Sequence, residues 1–589
     1  MKKSIFSLVA AMAVVSANTL DPIVVSATKS EVPLSKTTSN MQIITGDELE
    51  QKHITSVIDA LRMLSGINIT QSGGAGQQSS FFQRGMSAGN TVVMIDGVRY
   101  NDPTGIETQA QLEHLMTQNI EQIEIINGAQ SGIWGSNASA GVINIITKKA
   151  SQELSVGANM EYGSYGTTKV GANISQKIDA FSYYFGASRL NTSGFSAQVP
   201  NKNRVGDYEK DGYTNESINA KLGYEISSSD ILRASFNYIN AKIDYDGFMA
   251  PNDSESRIKQ INKQGEIGYR HYFDSDVYLD ASYSVAKFDK NDPTAWTKRF
   301  TGSNREFNSH AHIGYHGTDS LVIGLNRLDT KDKIADKNIA SRGIFATNTN
   351  IFGDLVLTES IRYDKYSDFD SKTTGKIGAK YNITNNLFVS SNVGSGFRAP
   401  SLYQLYDGWS GNKDLKPEKS KSFDATVGYG GLSVTYFYNN IENFIDWNGK
   451  YQNIDGKSRF QGYEASYTQN IGDSLALDGS YTRLYAKNSS GAELPRRAKN
   501  LYKASATYFL QDALSINLNA QYIGERYDNA TKTTQTGKYA VVGGVVNYQL
   551  NPNIELFARF DNLFDRYYQE VDGYATAGRS AYAGLRVNY

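Results

Sequence analysis

The chain contains no cysteine in 589 residues. That absence excludes a disulfide framework, a thiolate metal centre and a lipid anchor on cysteine. Net charge is nearly absent as well, at −1, so the chain lacks the basic footprint of a nucleic-acid binder. Past residue 17 no apolar run approaches the ~20 residues that a membrane-spanning helix needs. A membrane crossed by helices is excluded; a membrane crossed by strands is not. Only 10 prolines interrupt the chain, whereas 39 Tyr, 25 Phe and 53 Gly describe a β-rich polypeptide with many turns.

The start, "MKKSIFSLVAAMAVVSA", places Lys2 and Lys3 before an apolar stretch from Ile5 to Val15 and small residues ending at Ala17. This is the pattern of a secretory signal peptide over residues 1–17. Behind it, "DPIVVSATK" is a strand with no evident partner: Ile23, Val24 and Val25 are strong strand formers, flanked by Pro22 and a polar stretch from Ser26 to Asn40. An unpaired edge is a hazard that proteins normally cover. The expectation is that this one stays free for a partner.

From residue 151 to residue 589 one pattern recurs. In "LSINLNAQY", Leu514, Ile516, Leu518, Ala520 and Tyr522 share one face, and Ser515, Asn517, Asn519 and Gln521 the other. "NIELFARF" likewise sets Ile554, Leu556, Ala558 and Phe560 against Glu555 and Arg559. Period-two alternation gives each strand a greasy and a wet face. Sustained over some hundreds of residues with long connections such as Tyr406 to Lys421, it predicts a transmembrane β-barrel closed around a hydrated lumen. At roughly 20 residues per strand and connection there is room for ~22 antiparallel strands, enough to need a plug.

Residues 28–150 predict that plug, a compact α/β domain with its own core. Thr45 and Glu48 fit a capping box for a short helix. Ser56 caps a second helix, with Val57, Ile58, Leu61 and Leu64 at helical spacing and Gly66 as its stop. "TVVMIDGV", "IEQIEIIN" and "GVINIITKK" read as strands buried on both faces.

"FFQRGM", "VVMIDGVRYND", "IEQIEIINGAQSGIWGSNASAGVINIITKK" and the terminal "FDNLFDRYYQ" resemble the plug and barrel signatures of TonB-dependent outer-membrane receptors. Within that family, "GINITQSGGAGQQSSFFQRG", "GSGFRAPSLYQLY", "ELPRRAK" and "GYATAGR" are similar to the cobalamin (vitamin B12) receptors. The resemblance implies active import of a corrinoid across the outer membrane by a lipid-embedded monomer that is not an enzyme. It also implies that Asp21, Pro22, Ile23, Val24, Val25, Ser26 and Ala27 form the TonB box, through which TonB and its inner-membrane energising complex act.

The loop from Thr70 to Ser80 is rich in amides and hydroxyls, and its glycines let the backbone approach a ligand. Gln71, Ser72, Gly73, Gln77, Gln78 and Ser79 are its expected ligand contacts. Asn101 and Asp102, in "YNDPTGIETQ", are expected at the second plug apex. A carboxamide-fringed, roughly neutral ligand suits such donors better than an arginine cluster. A receptor of the same architecture for haem or a ferric siderophore is the alternative. Haem receptors place a histidine after the "FRAP" stretch, and Ser401 to Ser410 contains none.

Two acidic clusters, Asp207 with Asp211 and Asp244 with Asp246, offer four carboxylates for a hard cation if neighbouring loops bring them together. The resemblance implies calcium at these extracellular loops. Ser196 stands about where the family carries a further aspartate, which favours weaker binding or one ion instead of two. The pattern G-x-S-x-G at Gly85 to Gly89 lacks the strand-before, helix-after context of a hydrolase nucleophile.

Overall fold

A computed structural model describes residues 22–199, 208–247, 250–510 and 513–589. The signal-peptide reading, Asp21 of the box and Asp207 of the first acidic cluster lie outside them. From Ser155–Gly163 to Ser580–Asn588 the described residues form a closed barrel of 22 antiparallel strands. Its first and last strands pair from Gly157↔Asn588 to Gly163↔Tyr582, so no edge is left. Closure satisfies every ladder position where lipid offers no hydrogen bonds. The alternation reads out as expected: Ile516, Leu518, Tyr522, Leu556 and Phe560 are exposed on the outside, while Asn517 is buried toward the lumen. One end of the barrel carries short turns, such as Asp179–Ala180 and Gly353–Asp354, and the other carries long loops. In barrels of this kind the short turns face the periplasm.

The plug fills the lumen. Its five-stranded sheet runs Met41–Thr45, Ile120–Asn127, Gly141–Thr147, Thr91–Ile95, Val98–Arg99 in spatial order. Thr91–Ile95 and Gly141–Thr147 are parallel, and the remaining pairs are antiparallel. "TVVMIDGV" is therefore not one strand. Asp96 and Gly97 both take positive φ, 49° and 81°, and turn it into a hairpin, the known use of Asp-Gly in a tight turn. A second sheet joins Ile67–Gln71, Ser79–Gln83 and Met86–Ser87.

Helix Gly46–Gln51 begins at Thr45, whose hydroxyl accepts from Glu48 N. The reciprocal half of the expected capping box is replaced, because the Glu48 carboxylate takes Lys52 at 2.6 Å. Helix Val57–Arg62 is capped by Ser56 and followed by Gly66 at φ 71°. Val57, Ile58 and Leu61 pack with Ile44, Ile67, Ile123, Ile125 and Ile143 in a dry core.

Candidate functional site: the plug apex, the acidic loops and the docked box

The glycine loop closes on itself at the long-loop end of the plug. Ser72 N donates to Gln78 O at 3.0 Å, and the Gln71 side-chain amide donates to Gly74 O and Gln77 O at 2.9 and 3.2 Å. Two of its glycines are required by close approach. A Cβ at Gly76, where φ is 75°, would lie 2.2 Å from the Tyr213 ring, and one at Gly73, φ 118°, 2.8 Å from Ala197. The loop is thus pressed against barrel loops.

Three further bonds fix it: Gln71 N to the Glu570 carboxylate at 2.8 Å, Gln77 Nε2 to Asp244 O at 2.7 Å, and Ser79 Oγ to Glu113 at 2.9 Å. Ala75 and Gln78 are left exposed to the cup, with Ser72 and Ser79 half-buried beside them.

The structure places the other expected apex contacts inside the loops that they shape. Asn101 is buried, and its amide is consumed by Val93 N, Thr91 O and Thr108 O. Asp102 is buried too, accepting from Thr104 N, Thr104 Oγ1 and Gln111 Nε2. Both hold the second apex loop in shape. Gln77 is likewise buried and committed through its Nε2. Ile106 is the exposed tip of that loop.

Of the four carboxylates expected to converge, Asp211 and Asp246 do so, and Glu209 joins them, with ligand-capable oxygens all within 4.8 Å of one another. Asp244 does not. It ends its strand in register with Arg257 and forms an ion pair with it on the outer side, so the alternation that would have aligned it with Asp246 stops there. Glu209 was legible as the middle member of the period-two acids in "DYEKD" but was not singled out.

Burial and the neighbouring carboxylates Asp246 and Glu209 push Asp211 up to about 8. Burial and Asp246 push Glu209 up to about 7. Both Glu209 oxygens and Asp246 Oδ1 are buried without a hydrogen-bond partner. Oxygen-only donors with open lone pairs and unrelieved repulsion fit a hard divalent cation.

Ser196 is fully buried and donates 3.2 Å to Asp246 Oδ2, adding no charge. The remaining carboxylate oxygens of the cluster hold the backbone that presses on the glycine loop. Asp211 accepts from Ala197 N and Asp246 from Gln198 N, each at 2.6 Å.

At the short-turn end the box segment departs from expectation. Its edge is not free: Ile23–Val24 pairs antiparallel with Val32–Pro33, and Val24, Ser26 and Ala27 are buried. The next two donors, Val25 N and Ser26 N, go to the Glu124 carboxylate at 3.1 and 2.9 Å, and Ser26 Oγ joins them. Trp134 Nε1 caps Ser26 O at 3.0 Å. The physical reason is that unpaired amides inside a lumen are costly, so the plug supplies a carboxylate where it lacks a strand. Pro33 offers no N–H, which keeps the ladder short. Lys29, half-buried between the Trp134 and Phe345 rings at 4.6 and 4.4 Å, is lowered to about 7 by loss of solvent and then by Arg362.

Between the two ends, ionic fasteners join plug to barrel. Arg62 grips Glu570 bidentately at 2.6 and 2.9 Å. Arg84, of "FFQRGM", grips Glu464 at 3.0 and 2.7 Å over the Phe437 ring.

The family model described as "TonB dependent receptor-like, beta-barrel" matches residues 158–563, and the "TonB-dependent Receptor Plug Domain" matches residues 33–142. The chain belongs to the TonB-dependent receptors. It is a transporter of the outer membrane, not an enzyme. It is 28% identical over 590 residues to a vitamin B12 transporter BtuB of Photobacterium profundum, covering 96% of this chain and 95% of that one. It is also 28% identical over 613 residues to BtuB of Vibrio cholerae, covering 98% of each. Among solved structures, the siderophore receptor PirA of Acinetobacter baumannii superposes with a TM-score of 0.80 at 18% identity, covering 93% of this chain and 98% of that one. The ferric-catecholate receptor Fiu of E. coli superposes at 0.78 and 18%, covering 95% and 98%. Likeness at that identity establishes the shared fold.

Proposed function

We propose that this receptor imports cobalamin or a related corrinoid into the periplasm. The observation that carries the reading is the glycine loop, which presents amide and hydroxyl groups and main chain to the cup and no lysine or arginine of its own. Such a surface suits a neutral ligand fringed with carboxamides. Support also comes from the end-to-end likeness to vitamin B12 transporters.

Glu209, Asp211 and Asp246 are the residues that would hold calcium. A bound calcium ion supplies the positive charge that lets three carboxylates stay ionised together. Through Ala197 and Gln198 they would then stiffen the wall against which the glycine loop packs. On the other side, TonB would take the Ile23 to Val25 main chain as an added strand, a mode that tolerates varied side chains. Because that segment is docked on Glu124, ligand binding must shift it toward release, by no more than the ligand's differential affinity for the two states.

The test is direct binding of cyanocobalamin, haemin and a ferric catecholate to the purified receptor, side by side, with and without chelator. The reading expects cyanocobalamin to bind at least a hundredfold more tightly than the other two and to weaken on chelation. Preference for haemin or the catecholate would overturn it.

A further inference from the structure

Where the plug meets the strands that close the barrel, a cation is buried without a counter-charge. Lys169, on the inward face of Thr167–Ile178, is only 8% exposed. Among the described residues its ammonium forms no ion pair and no hydrogen bond. In register it stands directly opposite Glu161, yet the Glu161 carboxylate is held by Arg559 at 2.9 Å. Taking a cation out of water without a partner is costly, and a native fold that keeps one calls for water or an ion to account for it.

The side chain lines a cavity of about 60 Å³ between plug and wall, several times the ~10–15 Å³ that one water needs. The cavity faces the closing seam, where Asn159 pairs with Arg586. Its other charged residues are Glu50, Lys148, Glu161 and Arg586. Glu50 is already shared between Lys148 and Arg586, the latter at 3.0 Å, and the remaining titratable group, His53, is hydrogen-bonded to Asn547 at 2.8 Å. Three cations thus face two carboxylates, both committed to other partners, and Lys169 is the cation left over.

The plug adds a second free donor. Gln118 lines the same cavity, and its side-chain nitrogen and oxygen are both buried without a hydrogen-bond partner. It rests on Gly171, two residues along the same inward face from Lys169; a Cβ there would lie 1.6 Å from Gln118 Nε2. The free donors are therefore a point charge and a single amide, with no open guanidinium fork. Such a pair suits a spherical anion better than a planar carboxylate, which a fork would grip.

We propose that a chloride ion binds in this cavity, held by the Lys169 ammonium from the barrel and the Gln118 side-chain amide from the plug, and fastens plug to barrel beside the closing seam. Water alone would hydrate the ammonium but leave its charge uncompensated in a surrounding of low dielectric. Unlike Arg62–Glu570 and Arg84–Glu464, this fastener takes its strength from the concentration of a free ion. The cavity is remote from the cup, so the proposal stands independently of which ligand the receptor imports.

The test pairs crystallography of the full-length receptor soaked in bromide with hydrogen exchange in solution. Anomalous signal from bromide is expected beside the Lys169 ammonium of the wild type and is expected to vanish in K169M. Thr117 N and Lys148 N flank the cavity and donate within the plug to Thr55 O and Asn119 O at 3.2 and 2.9 Å. Replacing gluconate by chloride at constant ionic strength should slow their exchange by roughly threefold or more in the wild type and leave K169M unchanged. Heat-modifiable migration verifies that the variant barrel is folded, and the bromide position and the salt comparison are both decided on the wild type alone. No bromide signal at Lys169, equal exchange in the two salts, or a chloride effect that persists in folded K169M would overturn the proposal.

Discussion

The interior of the plug is apolar, whereas its boundary with the barrel alternates apolar patches, such as Met86 and Ala140 against Phe437, Phe460 and Leu484 and Tyr100 against Phe288, with buried ion pairs and polar contacts. Inside, Ile44, Leu61, Ile123, Ile125 and Ile143 interdigitate with almost no exposure. At the boundary, Arg62–Glu570, Arg84–Glu464, Lys503 to Ile67 O and Asn547 to Gln51 O are polar contacts, and a cavity of about 630 Å³ lies between the plug segment 40–65 and the barrel wall. A dry core resists rearrangement because every displaced atom loses dispersion partners. Polar contacts beside a hydrated space can be exchanged for water. Where polar contacts border that cavity, plug and barrel can part at less cost than the plug's own core can.

The largest break in that contrast is expected at the box. Val24→Pro removes a ladder donor and fixes φ, and should abolish uptake while leaving cyanocobalamin binding at the cell surface within about twofold; normal uptake would sink the box assignment. Next come the fasteners. Glu464→Ala strands the buried Arg84 and should destabilise the docked plug by about 3–5 kcal/mol, read as the denaturant midpoint of the plug transition. In the dry core, Ile123→Ala should cost about 2–5 kcal/mol through cavity formation and shift the same midpoint without altering the salt dependence that marks the ionic mutant.

The acidic loops sharpen the comparison through pH. A cation binds the deprotonated cluster, and Asp211 and Glu209 hold protons up to about 8 and about 7. Calcium affinity measured by titration calorimetry should therefore weaken as pH falls through 8 and then 7, with protons released on binding. An affinity flat between pH 6 and 9 would argue for a solvated acidic rim.

The smallest effect concerns Lys29. Docked it titrates near 7, against an ordinary 10.5, so docking sheds a proton between those values and is favoured as pH rises. Lys29→Met should remove that pH dependence from box protection in hydrogen exchange.

The barrel was readable from residue types because alternation is a local property: each outward Ile or Tyr announces itself beside an inward Asn or Ser. The break at Asp96–Gly97 was equally local, but a run of apolar residues on both sides masked it. The site was less legible because it depends on which loops meet. Asp244 and Asp246 looked equivalent until the strand ended between them. Asn101 and Asp102 carry the right groups, yet those groups face inward to the loop that they shape. The box looked solitary because its partner, Glu124, is 98 residues from Ser26 in sequence, and no local pattern links a carboxylate on a buried strand to two amides so far away.

The Ile23–Val24 segment is docked at rest, and filling the cup is expected to release it. The absence of native cysteine makes a single Val24→Cys a unique reporter at a fully buried position. Its rate of labelling by a water-soluble maleimide from the periplasmic side should be slow without ligand and rise at least tenfold with saturating cyanocobalamin. Fast labelling in the unliganded receptor, or a rate that the ligand leaves unchanged, would contradict the account.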